Sequence, residues 1–136
     1  MTKLAKKKTE EDATILVIIY EHIVRRILTR ILTTKGHKVV ARSVGYKGIH
    51  TFEKGKGKYD LVIIDIRLPD ISSLSVAKRI KKISRKTPVM LINKVWGKAI
   101  NIKDLKQAGV DYIIKVPFQM DITLHFVENA LDRIHR

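Results

Sequence analysis

Short apolar runs alternating with segments of helical spacing constrain the fold of this chain more than any other feature. The runs are Ile15–Ile19, Lys38–Ala41, Leu61–Ile64, Val89–Ile92 and Tyr112–Val116, each rich in Val, Ile or Leu on consecutive positions. Consecutive apolar residues bury both faces of a strand, the pattern of a parallel sheet covered by helices on each side. Between the runs, Ile23, Ile27, Leu28, Ile31 and Leu32 recur at helical spacing over Ile23–Thr34, and Gly36 supplies a C-terminal stop. A weaker helix covers Tyr46–Lys54, with Ile49 and Phe52 on one face, Gly48 lowering its propensity and the Gly55–Gly57 turn ending it. Ser72–Ser84 sets Leu74, Ala77, Ile80 and Ile83 on one side and stops before Thr87-Pro88, because the residue ahead of a proline is pushed out of helical geometry. Ala99–Ala108, closed by Gly109, and Asp121–Ile134 complete the series.

Strands and helices alternating through connections this short imply right-handed crossovers. The expected architecture is a doubly wound α/β sandwich of the flavodoxin type, five parallel strands in the order 2-1-3-4-5 with five helices. Reactive groups in such a sheet collect at the carboxyl ends of the strands, near the switch point between the first and third. At 136 residues one core is the default. It is expected over residues 13–136, with residues 1–12 as a flexible leader: Lys3, Lys6, Lys7 and Lys8 followed by Glu10, Glu11 and Asp12 leave almost nothing apolar to bury. The leader lacks the apolar stretch of a signal peptide, and Ile15–Ile19 is far too short to cross a bilayer, so no membrane insertion and a cytoplasmic location are expected. The chain contains no cysteine, which excludes disulfides, thiolate catalysis and Cys-based zinc sites. Its 28 Lys and Arg against 13 Asp and Glu give a formal charge of +15, a field that favours acidic partners. The cations, Arg25, Arg26, Arg30, Lys35, Lys54 and Lys78 to Lys86 among them, are spread through the chain and not gathered in one block.

One stretch carries chemistry. In Tyr59-Asp60-Leu61-Val62-Ile63-Ile64-Asp65-Ile66-Arg67-Leu68-Pro69-Asp70 an apolar strand delivers a carboxylate, Asp65, at its carboxyl end, and Pro69 shapes the loop that follows. A carboxylate can attack a phosphoryl group, and the acyl phosphate so formed stores enough energy to bias a conformational equilibrium. In this strand, aspartate and proline, and in the register of the whole pattern from Ile15 to Ile134, the chain resembles the receiver domains of bacterial response regulators, the CheY-like family. The resemblance implies a stand-alone receiver in a two-component phosphorelay, with Asp65 as phosphoacceptor and a histidine kinase or histidine-phosphotransfer protein as donor. A separate downstream effector protein would be addressed through the fourth helix, fifth strand and fifth helix.

The same resemblance exposes departures. Receivers end the first strand on two acidic residues that hold magnesium; here Ile19 and Tyr20 stand in those places, with Glu21 acidic one position late. The implied ion, held by Asp65, the Arg67 backbone carbonyl and Glu21, is weakly bound, since magnesium wants several oxygens in near-octahedral array. Weak binding slows phosphoryl transfer. Asn93 occupies the position of the Thr or Ser that senses the phosphoryl group, and counting from Gly109 to Pro117 places Val116 on the position of the family's lysine. Lys115 comes one residue early, and such a slip reverses the face of a strand residue unless a bulge restores it. Ile113, beside Tyr112, holds the aromatic switch position, so the sensing and switch set is Asn93, Lys115 and Tyr112. The alternative is a pseudo-receiver, an interaction module acting without phosphorylation and binding a polyanion such as nucleic acid, as the +15 charge invites.

Nothing else in the sequence competes. His22, His37, His50, His125 and His135 show no metal-ligand spacing with carboxylates. Gly55-Lys56-Gly57-Lys58 lacks the spacing and the Ser or Thr of a phosphate loop and precedes a strand, so it reads as a connector. Trp96 is either a partner anchor or a ring packed over the sheet edge. Beyond Asp65 there is no base, nucleophile pair or cofactor motif, which argues against an enzyme beyond self-phosphorylation from a phosphodonor.

Overall fold

The structure, a computed structural model, describes residues 13–93, 101–115 and 127–132. Strands β1 (Thr14–Ile18), β2 (Lys38–Arg42), β3 (Leu61–Asp65), β4 (Val89–Asn93) and β5 (Tyr112–Lys115) alternate with helices α1 (His22–Thr34), α2 (Gly45–Lys54), α3 (Ser73–Ile83) and α4 (Ile102–Ala108). Residues 127–132 are helical and form α5. All pairings are parallel and the order is β2-β1-β3-β4-β5, the doubly wound sheet expected from the alternation.

Strand parity divides the interior into two apolar layers. Ile15, Val17, Leu61, Ile63, Met90, Ile92 and Ile114 face α1 and α5, where Leu28, Leu32, Val127 and Leu131 meet them. Leu16, Ile18, Val62, Ile64, Val89 and Leu91 face the other way, against Ile49 and Phe52 of α2, Val76, Ala77 and Ile80 of α3 and Ala108 of α4. β1, β3 and β4 are thus covered on both sides, whereas β2, at the sheet edge, is only partly buried. Its position explains why the run at Lys38–Ala41 is the least apolar of the five.

The ends expected for α5, Asp121 and Ile134, lie outside the described residues, and most other element limits fall within a residue of expectation. The exception is α4, which starts at Ile102 instead of Ala99: Asn101 takes extended backbone, with φ −70° and ψ 125°, and its side chain accepts the Lys103 N–H. Gly36 (φ 99°) follows α1 and Gly109 (φ 82°) closes α4, both in the left-handed conformation that a stop of this kind requires. Ser72 caps α3 by accepting the Ser75 N–H at 3.1 Å. Helix α2 has no cap from its own N-cap residue, Val44. Asp70 supplies one from the β3–α3 loop, its Oδ1 accepting the Gly45 N–H and its Oδ2 the Tyr46 N–H, each at 2.9 Å. Gly48, which weakens α2 as an isolated helix, is required by packing: a Cβ there would lie 2.3 Å from Ile18 Cδ1 and 2.6 Å from Cγ1. The helix is laid directly on β1.

Candidate functional site at the strand ends

The carboxyl ends of β1 and β3 meet at the switch point of the sheet, and Asp65 is the last residue of β3. Its side chain is almost wholly buried, at 3% exposure. The pairing explains this. Asp65 stands opposite Ile92, Ile92 opposite Ile114, and one step beyond the Ile18–Ile64 pair lies Ile19, which is itself in the core. The carboxyl group thus caps a row of isoleucines on the α1–α5 face. Its Oδ1 accepts the Arg67 N–H at 3.1 Å. Burial pushes the carboxyl above the ordinary aspartate range, against the lowering influence of the Arg67 and Tyr20 backbone N–H groups and the Arg67 charge.

The remaining predicted positions sort by distance from this row. Ile19 belongs to the core, while Tyr20 is 54% exposed and Glu21 is exposed as the N-cap residue of α1. Asn93 closes β4 one register step past Ile92; it is buried, and its Oδ1 has no hydrogen-bond partner. The backbone of Lys115 lies opposite Asn93, so Ile114, and not Lys115, holds the register position of the Asp65 row. Tyr112 is half-buried and packs against the α1–α5 layer, and Ile113 against the opposite one. Val116, Trp96, His125 and His135 lie outside the described residues.

Two residues at the site escaped the sequence reading. Arg25, on the first turn of α1, donates from Nη1 to the carbonyls of Ile19 (2.8 Å) and Tyr20 (3.0 Å), and its Nη2 lies 3.2 Å from His22 Nδ1. A guanidinium therefore occupies the loop where the resemblance puts an acidic pair. Its signal was an arginine placed one turn after a strand end, where carbonyls lack ladder partners. Asp70 is the other, visible in the sequence only as the residue after Pro69.

The described residues serve a magnesium ion poorly. Among the described residues no three His, Asp or Glu side chains are grouped as ligands. The strand ends offer one carboxylate, Asp65, which burial drives toward its neutral form, and the neighbouring position is an isoleucine of the core.

Comparison with known proteins gives the family. A family model described as the response regulator receiver domain matches residues 15–128. The chain is 30% identical over 121 residues to the uncharacterized transcriptional regulatory protein YkoG of Bacillus subtilis (strain 168), covering 89% of this chain and 52% of that protein. It is 28% identical over 119 residues to the chemotaxis protein CheY of the same organism, covering 87% and 97%. The chain thus spans about half the length of relatives such as YkoG and nearly all of CheY. A crystal structure of a response regulator receiver domain protein from Clostridium thermocellum superposes with a TM-score of 0.81 at 25% identity, covering 89% of this chain and 95% of that one. With the aspartate at the switch point and the family model running from β1 into α5, the chain belongs to the response regulator receiver domain family.

Proposed function

We propose that this chain receives a phosphoryl group on Asp65 from a histidine kinase or histidine-phosphotransfer protein and passes the resulting change to a downstream effector. The observation that carries the reading is Asp65 itself, a single carboxylate at the end of β3 with one oxygen fixed by the Arg67 N–H. In the transfer, a carboxylate oxygen forms the new O–P bond as the P–N bond of a phosphohistidine breaks, the electron pair remaining on the imidazole. The rim beside Asp65 suits a protein donor: Tyr20, Ile23 and Ile27 are large exposed apolar side chains next to the cations Arg26 and Arg30. On the output side, Ile102 of α4 is likewise exposed.

Residues 13–136 form the receiver unit in this proposal, with residues 1–12 as a leader outside it and a cytoplasmic location. No helix among the described residues is long and apolar enough to cross a membrane. Asn93, Lys115 and Tyr112 take the sensing and switch roles, and any magnesium contact through Glu21, Asp65 and the Arg67 carbonyl is weak. Buried Ile19 favours a second reading, in which the domain signals by binding alone.

Incubation with acetyl phosphate, followed by intact-mass measurement, separates the two. Slow addition of one phosphoryl group, only weakly stimulated by magnesium and abolished in Asp65→Asn, is the expected result. No addition from acetyl phosphate or from a phosphorylated histidine-phosphotransfer protein would leave the binding-only reading.

A further inference from the structure

Among the described residues the +15 charge lines several hollows, and one of these also carries tyrosine rings. At the sheet edge, the end of β2 and the length of α2 enclose a groove of about 620 Å³. Its cations are Arg42, Lys47, Lys54 and Lys58, with His50 between them, and no acidic side chain lines it among the described residues. Asp60 is engaged by the Thr14 N–H at 2.8 Å and Asp70 by the start of α2, while Glu53, on α2 itself, is exposed and is not among the groove's lining residues. Among the described residues Arg42 has no counter-ion: its Nε donates to Thr51 Oγ1 at 2.9 Å and its Nη1 to the Ala41 carbonyl at 2.8 Å. A guanidinium fixed in this way loses little freedom when an anion arrives.

The groove also has rings. Tyr59 forms part of the wall, buried and stacked on Phe52 at 5.8 Å between centroids. Tyr46 is 54% exposed at the start of α2 and offers a free face. A second basic hollow, about 680 Å³ between α3 and α4, lacks both properties: it contains no aromatic side chain, and Asp111 within it pairs with Lys81 at 2.8 Å.

We propose that the Arg42–Lys58 groove binds single-stranded nucleic acid, its cations following the phosphates and Tyr46 stacking on a base. Cations around an aromatic platform are what a flexible phosphate chain with exposed bases requires; a duplex keeps its bases stacked and leaves Tyr46 without a partner. This inference does not depend on whether Asp65 takes a phosphoryl group.

The test is fluorescence anisotropy with a labelled oligothymidine of about 12 nucleotides. Four cations on phosphates predict a slope of log affinity against log salt near −3, a loss of ~50-fold between about 50 and 200 mM salt. Lys47→Glu/Lys58→Glu removes two contacts and weakens binding by ~25-fold at about 0.1 M salt. Lys78→Glu/Lys106→Glu, the same change of net charge made in the α3–α4 hollow, costs under ~3-fold. Tyr46→Ala costs ~5-fold or more for oligothymidine and nothing for inorganic polyphosphate, which has no bases. Circular dichroism confirms that each variant is folded. Equal losses in the two double variants, a Tyr46→Ala that binds oligothymidine like the parent, tighter binding of a duplex of the same length, or no binding at the lower salt would each overturn the proposal.

Discussion

Removing the Asp70 carboxylate should loosen α2 from the loop that follows β3. Its two oxygens accept the Gly45 and Tyr46 N–H groups at 2.9 Å each, and Val44 offers no side-chain cap in their place. Truncating a capping residue costs about 0.5–2 kcal/mol, and losing an anion at an exposed helix N-terminus about 0.3–1 kcal/mol. Because Asp70 is exposed and these contributions overlap, Asp70→Ala should lose about 1.5 kcal/mol. Asp70→Asn keeps one oxygen and no charge, and should lose roughly half of that. Urea denaturation at neutral pH reads the effect as a fall in midpoint of roughly 0.7 M for a slope of about 2 kcal/mol/M. The pH dependence tests the cause. Partial burial works to raise the Asp70 pKa, but the N–H groups of Tyr46, Gly45, Asp70 and Ile71 outweigh it and hold the carboxyl below the usual aspartate range. A lowered folded-state pKa gives stability that is present above the unfolded value of about 4 and lost as pH falls through the folded one. The gap between parent and Asp70→Ala should therefore persist at pH 7 and shrink below about pH 4. Equal midpoints at neutral pH, or a gap unchanged in acid, would refute the capping argument.

Asp65 carries the opposite sign. Its folded-state pKa is raised, so its contribution to stability is full below the unfolded aspartate value and is lost as pH rises toward the folded one. Asp65→Asn, which cannot ionise, should melt at a higher temperature than the parent near neutral pH and at about the same temperature below about pH 4, and a parent that is the more stable of the two at pH 7 would contradict the burial seen here. Gly48→Ala should destabilise by roughly 1 kcal/mol, the helix gaining about 1 while overpacking against Ile18 costs about 1–3. Ile18→Val in the same chain, by deleting Cδ1, should recover part of that loss; a stabilised Gly48→Ala would remove the packing explanation.

The order of elements was legible because consecutive apolar residues and helical spacing are both local patterns, and each of the five runs became a strand in the expected place. Asp65 was legible for the same reason, as the charge that ends an apolar run. What the sequence hid lies in contacts between distant positions. Asp70 caps a helix that begins 25 residues before it. Gly48 reads as a weak spot in α2 until Ile18 is set beneath it. The groove gathers Arg42 from β2, Lys47 and Lys54 from α2 and Lys58 from the next turn, so its cations looked scattered along the chain. Arg25 was hidden because an arginine on an amphipathic helix normally points to solvent, and only the open carbonyls at the end of β1 draw it in.

Ile19, which stands where the resemblance puts an acidic residue, would act on Asp65 in two ways that oppose each other. An acidic side chain in that place would raise the Asp65 pKa through like charge; its loss removes that repulsion. The isoleucine, however, extends the α1–α5 core layer up to the carboxyl group and takes water from it. The net direction is upward, with burial the largest cause, opposed by the Arg67 and Tyr20 N–H groups and the Arg67 charge. A phosphoryl group added there would bring further negative charge to a site poor in water, with the Arg67 guanidinium acting on it and the Arg25 guanidinium committed to the carbonyls of Ile19 and Tyr20. If Asp65 is phosphorylated as proposed, the added charge would be costly to bury against the isoleucine row, and the modified state would favour movement of the β1 and β3 loops.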